Sequence, residues 1–202
     1  MAEKVSKADQ SSRTRTALLT TARELFTKQG YADTSTEEIV RQAGVTRGAL
    51  YYHFRDKADL FQAVFAEVED SMQRAIVQSV MEAEGDPWQR ATAGSFTFFR
   101  LCLNPAIQRI LYIDGPAVLN SNTWRGENVG GGISIVRQNL QMFMEHGYIK
   151  KYPLEALTRL WFGVYAEAAI YIANAEDREA AVAEVTFCVD ELANGLRLQT
   201  QG

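Results

Sequence analysis

The chain has 202 residues, 47% of them hydrophobic, with 21 basic and 25 acidic side chains and a net charge of −4. That balance excludes disorder throughout, while two cysteines exclude a disulfide scaffold and two histidines a His-rich metal site. The polar start through Ser12 lacks the apolar stretch of a secretory leader, and no apolar run approaches the roughly 20 residues of a membrane span.

The predicted elements are all helical. A polar tail over residues 1–12 precedes a first helix, 13–29, with Leu18, Ala22, Leu25 and Phe26 on one stripe. Gly30 is its expected stop. Ser35 and Glu38 have capping-box spacing and start a short second helix through Ala43. Gly44 ends it, Thr46 caps a third helix to about Phe54, and Asp56 opens a fourth with a stripe of Leu60, Phe61, Val64, Phe65, Val68, Met72 and Ile76. Asp86-Pro87 and Asn104-Pro105 each place a cap before a helix-starting proline. Gly130-Gly131-Gly132 predicts either a plain loop from Ser121 to Gly132 with a helix following to His146 and Gly147, or a helix from about Thr123 to His146 that is bent or frayed at the glycines. Pro153 and Asp177 open the last two, for about nine helices in all. No alternating strand pattern or internal repeat is present.

The fold class is therefore all-α, with a helix-turn-helix domain over residues 13–58 and a larger helical domain over 59–202. The charge divides with them. Residues 1–60 hold 10 Lys/Arg against 8 Asp/Glu, and residues 61–202 hold 11 against 17. An acidic total argues against a nucleic-acid partner, but it averages a mildly basic head and an acidic body.

Two short helices joined by Gly44-Val45 form the supporting-helix, turn and recognition-helix pattern. Leu50 and Phe54 face the small core, which leaves Thr46, Arg47, Tyr51 and His53 largely off it. Arg47 suits a guanine edge or a phosphate, and Thr46 suits a phosphate or a thymine methyl. Gly48 permits close approach to a duplex, and Tyr51 and Tyr52 carry hydroxyls on rigid arms. Lys57 sits against the dipole of the fourth helix, a conflict that a phosphate would relieve. An ordinary helical corner also carries Gly and exposed Arg or Tyr, so spacing alone does not distinguish it from a DNA-binding one.

Residues Thr16 to Leu60 resemble the DNA-binding domain of TetR-family transcriptional regulators. The resemblance rests on Ala22-Arg23-Glu24-Leu25-Phe26, Gly30-Tyr31, Thr34-Ser35-Thr36, Ile39 and above all Gly44-Val45-Thr46-Arg47-Gly48-Ala49-Leu50-Tyr51-Tyr52-His53-Phe54 with Lys57. It implies a phosphate contact at Thr36, groove entry at Thr46, Arg47 and Gly48, base and phosphate contacts at Tyr51, Tyr52 and His53, and phosphate binding at Lys57. An aromatic role in packing stays open for Tyr52 and His53. The arm carrying Lys4, Lys7, Arg13 and Arg15 could touch the DNA backbone, although a solvated tail is the plainer reading for Lys4 and Lys7.

The resemblance further implies a cytoplasmic bacterial regulator. It would be a homodimer, most simply a repressor, released from a palindromic double-stranded DNA operator by a small apolar or aromatic effector. Leu157, Val164, Ala168 and Tyr171, then Val182, Val185, Val189 and Leu192, recur at helical spacing and offer a four-helix dimer interface. The same stripes could pack the monomer core instead. Phe99, Arg100, Leu103, Trp124, Asn139, Phe143, Trp161 and Tyr165 are candidate pocket residues, an aromatic set with a few polar groups. Such a stripe is also ordinary core. Cys102 and Cys188 are expected to be buried, inert thiols.

No hydrolase, zincin, P-loop or dinucleotide motif occurs, so no catalytic residue, metal or cofactor is expected. A regulator of the same fold controlled by a protein partner is the main alternative. A cavity filled by side chains would favour it.

Overall fold

The computed structural model describes residues 7–125 and 131–198. The described residues form ten α-helices and one π-helical segment, and the sole strand-like pairing is an isolated bridge between Ile149 and Arg197. The head comprises α1 (Lys7–Asp33), α2 (Thr36–Gln42) and α3 (Arg47–His53). The body holds α4 (Lys57–Glu82), α5 (Pro87–Leu101), the π segment (Ile107–Asp114), α6 (Gly115–Val118), α7 (Ser121–Arg125), α8 (Gly132–Glu145), α9 (Leu154–Asn174) and α10 (Arg178–Leu196).

Local chemistry accounts for most boundaries. Ser35, Thr46, Asp56 and Asp177 each accept a hydrogen bond from the backbone N–H three residues on, at 3.1, 3.1, 2.8 and 3.0 Å. Asp86 and Gln89 form a full capping box. The box expected at Ser35 and Glu38 closes on one side only. The Glu38 carboxylate is taken by the amides of Gln29 and Gln42 instead. Gly44 turns the chain between α2 and α3 at φ 66°, a left-handed conformation that disfavours any side chain.

Three expectations require correction. The tail predicted through Ser12 is helical from Lys7, because Lys7-Ala8-Asp9-Gln10 contains no breaker and puts Asp9 in the first turn. Lys4 lies outside the described residues. The helix expected after Asn104-Pro105 divides into the π segment and α6. The loop expected over 121–132 contains α7, to which Asn120 supplies a cap by accepting from the Thr123 N–H at 2.9 Å. Gly131 is the N-cap of α8, which begins at Gly132, while Gly130 lies outside the described residues.

One core joins head and body. Leu18, Phe26, Ile39 and Leu50 belong to the same buried cluster as Phe61, Val68, Phe99, Ile110 and Ile172. A smaller cluster of Trp88, Leu140, Phe143 and Ile149 closes the far end. Helix α4 crosses the boundary expected at residues 58–59 without a break. Its 26 residues make a strut of about 39 Å at 1.5 Å per residue.

Candidate functional site

The recognition helix stands open. Thr46, Arg47, Gly48, Tyr51 and Tyr52 are exposed, Tyr52 at 79%, while Leu50 is fully buried and Phe54 nearly so. The cap uses an acceptor lone pair of Thr46, which leaves its hydroxyl proton free to donate. Arg47 forms an ion pair with Glu37 at 3.2 Å and lies over the Tyr51 ring. The Glu37 carboxyl is held below its usual range by its own backbone N–H at the start of α2, by the Thr36 hydroxyl and by Arg47. Both partners of the Arg47–Glu37 pair are exposed, so it contributes little and is readily exchanged for a phosphate or a base.

Gly48 has open space around the position of a Cβ, with the Thr46 hydroxyl 3.9 Å away. The protein's own packing does not demand a glycine there. Tyr52 and His53 line an open groove of about 330 Å³, whose other wall is Lys7, Gln10, Ser11 and Thr14 of α1. His53 is half-buried and edge-on to Tyr52. Arg15 lies over the Phe54 ring and braces the head.

Lys57 departs from its sequence reading. Its ammonium donates to the carbonyls of Tyr31 and Thr34 at 2.8 and 2.9 Å and sits 4.2 Å from the Tyr31 ring centroid. The apparent conflict with the α4 dipole is answered inside the protein, by carbonyls at the end of α1. One of its three donors remains for another partner. Thr36, on the first turn of α2, donates to Glu37 at 3.2 Å.

The body contains a cavity of about 60 Å³ between α5, α8, α9 and α10. Of the expected pocket residues, Phe143, Trp161 and Tyr165 line it. Phe99 is buried in the main core instead, Leu103 lies in the turn after α5, and Trp124 is tied by its indole to the Leu111 carbonyl at 2.8 Å. Arg100 is ion-paired with Glu179 on the surface, and Asn139 faces solvent. Helical spacing narrows the candidate faces but does not say which neighbour each face meets. Trp88 of the aromatic-rich middle helices lines it too, together with Thr92, Ser95 and Asp190, which no sequence signal marks. Ser95 and Tyr165 share a 2.6 Å hydrogen bond, and burial raises the Tyr165 phenol.

The stripes proposed for a dimer face are mainly the inward faces of α9 and α10. Ala168, Val182 and Val189 are buried, and Leu157, Val164 and Val185 pack against the cores. Tyr171 and Leu192 are exposed, and the other large apolar residues exposed on α9 and α10 are Leu160 and Phe187. Tyr171 donates to Glu184 at 2.6 Å and bridges the two helices. Inward and outward stripes recur at the same interval, and Leu160 and Phe187 fall just off the stripe of Leu157, Val164, Ala168, Tyr171, Val182, Val185, Val189 and Leu192.

A supporting helix, a left-handed Gly44 turn and an open, capped recognition helix define a helix-turn-helix regulator. Comparison with known proteins agrees. Residues 18–64 match the model of bacterial regulatory proteins of the tetR family, and residues 88–196 match the tetracyclin repressor-like C-terminal domain. A TetR-family regulator from Pectobacterium atrosepticum is 31% identical with a TM-score of 0.78, covering 96% of this chain and 98% of that one. A regulator described as a putative tetR-family protein, from Shewanella sp. PV-4, is 27% identical with a TM-score of 0.73, over 92% and 99% of the two chains. The HTH-type transcriptional regulator AcrR of Shigella flexneri is 42% identical over 74 residues, 37% of this chain and 34% of that protein. The HTH-type transcriptional repressor BepR of Brucella suis is 36% identical over 70 residues, 35% and 34% of the two chains. The match to these curated relatives spans about a third of their length. The chain belongs to the TetR family of transcriptional regulators, and it is a regulator, not an enzyme.

Proposed function

We propose that this chain is a homodimeric repressor of the bacterial cytoplasm that binds a palindromic operator and leaves it when a small effector enters the body. The observation that carries the DNA half is the open end of α3, where Thr46, Arg47 and Gly48 are exposed and none is buried in the core. Thr46 and Thr36 would donate to phosphates, Arg47 would read a base edge, and Tyr51, Tyr52 and His53 would follow the groove wall. The groove between Lys7, Gln10, Ser11, Thr14 and the Tyr52-His53 corner fits a sugar-phosphate strand. No helix among the described residues is long and apolar enough to cross a membrane, in keeping with this reading.

The outward face of α9 and α10 supports self-association. Leu160, Tyr171, Phe187 and Leu192 are large and exposed, and neither Gly163 nor Gly195 has a neighbour within 4 Å of a built Cβ. Two copies meeting there would set two recognition helices about one DNA turn, ~34 Å, apart.

The cavity supports effector control through its converging polar groups in an aromatic lining. Its 60 Å³ holds a few waters or a compact head group, well below the roughly 300 Å³ of a drug-sized site. An effector must therefore open it, and the opening would transmit the signal. The small volume is also the observation that favours the second reading, control by a protein partner.

Operator titrations test the DNA half. Arg47→Ala is expected to weaken binding by about 1–3 kcal/mol and relax preference at one base pair. Gly48→Ala is expected to weaken binding while the melting temperature holds or rises, because alanine favours the helix and its Cβ meets no neighbour closer than 3.9 Å. Full affinity in both variants removes α3 as the reading element.

A further inference from the structure

Asp190 is the charged residue in the cavity lining. It lies on the inner side of α10, between Val189 and Ala193, and is half-buried. No hydrogen bond or ion pair to its carboxylate is formed among the described residues. Arg197, the basic residue at the end of α10, is engaged elsewhere: it lies over the Trp88 ring and pairs with Asp86 at 3.4 Å. The Ser95 and Tyr165 hydroxyls, which also face the cavity, are occupied with each other.

A carboxylate partly drawn from water and without a protein partner is open to a cation that enters the cavity. Burial, with Glu191 beside it, pushes the Asp190 carboxyl above its usual range, as an unmet demand for positive charge would. Trp88, Trp161 and Tyr165 line the same cavity, and aromatic rings favour a cation over a neutral group of the same shape. The chemistry that satisfies both features is a compact cation, an amine or quaternary ammonium, on an apolar body.

We propose that the effector of this protein is a cationic amphiphile whose ammonium head sits against Asp190 among Trp88, Trp161 and Tyr165. This rests on the reading of the cavity as the effector site. The head group fits the present volume, and the apolar body displaces side chains of the smaller core cluster.

Calorimetry with two probes of equal shape tests it: benzyltrimethylammonium and its neutral isostere neopentylbenzene. The full-length protein is expected to bind the cation about tenfold more tightly, and Asp190→Asn is expected to abolish that preference. The melting temperature of the variant should hold or rise, since an unpartnered charge is removed. Asp190→Ala provides a second variant with the same expected loss. Equal affinities in the parent protein, or a preference that survives both substitutions, overturns the proposal. If the neutral probe binds equally well and frees operator DNA, the effector reading stands and the charge assignment falls. If neither probe binds, both fall.

Discussion

Lys57 and Cys102 illustrate how a side chain's role follows from what it touches. The Lys57 ammonium closes the carbonyls of Tyr31 and Thr34, so Lys57→Ala is expected to lower stability by about 1–3 kcal/mol. Chemical denaturation checks this. A lysine acting solely on phosphate would leave the unfolding midpoint where it was. Cys102 is fully buried, and burial pushes its thiol up to about 12. In the unfolded chain it ionises near 9, so above that pH the native state holds the extra proton. Stability is expected to fall as pH rises from about 9 towards 12, with the raised phenols of Tyr112 and Tyr165 adding to the slope. Thermal melts across that range read it. A thiol reagent at pH 8 should spare Cys102 in the native protein, while Cys188 is exposed in the monomer.

The π segment lies where the body touches the head. Pro116 lacks the N–H that a continuing α-helix would send to Tyr112. Gly115 lets the wide turn close: a Cβ there would lie 2.9 Å from the Ile110 carbonyl and 3.0 Å from the Phe65 ring of α4. At the end of the segment Asp114 accepts from the Tyr31 backbone N–H at 2.8 Å and from Arg109 at 3.1 Å. The Arg109 guanidinium covers Gly30, which turns the chain at φ 85°. Asp114 and Gly115 thus add a hydrogen bond to α1 and a close approach to α4 to the shared core that joins head and body. Gly115→Ala is expected to destabilise the protein by about 1–3 kcal/mol, because the obstructing atom is backbone and cannot swing aside. A thermal melt measures it, and a variant as stable as the parent would show that the close approach is dispensable.

For the molecule as a whole, the continuous core and the unbroken α4 make head and body one mechanical unit. In the proposed dimer, operator affinity would then depend on two heads held at a fixed separation. Phe187, 68% exposed on α10, is the residue with which to test that dependence. Phe187→Glu is expected to yield monomers in sedimentation while leaving the monomer fold intact, and to weaken operator binding at least about tenfold. A variant that stays dimeric excludes this face. The acidic total no longer counts against DNA, since the excess acid lies in residues 61–202, whereas the open end of α3 carries Arg47.

Much of this was legible in the residue order because it is local. Caps at Ser35, Thr46, Asp56, Asp86 and Asp177, the turn at Gly44 and the buried face of Leu50 and Phe54 depend on neighbours three or four positions away. The reading helix and the family resemblance followed from those features. Lys57's carbonyl partners, the π segment, the outward face of α10 and the company of Asp190 were not legible. Each depends on contacts between residues far apart in the chain, such as Lys57 with Tyr31 or Ser95 with Tyr165. Helical periodicity marks a face as apolar but carries no information about which surface it will meet; that depends on packing.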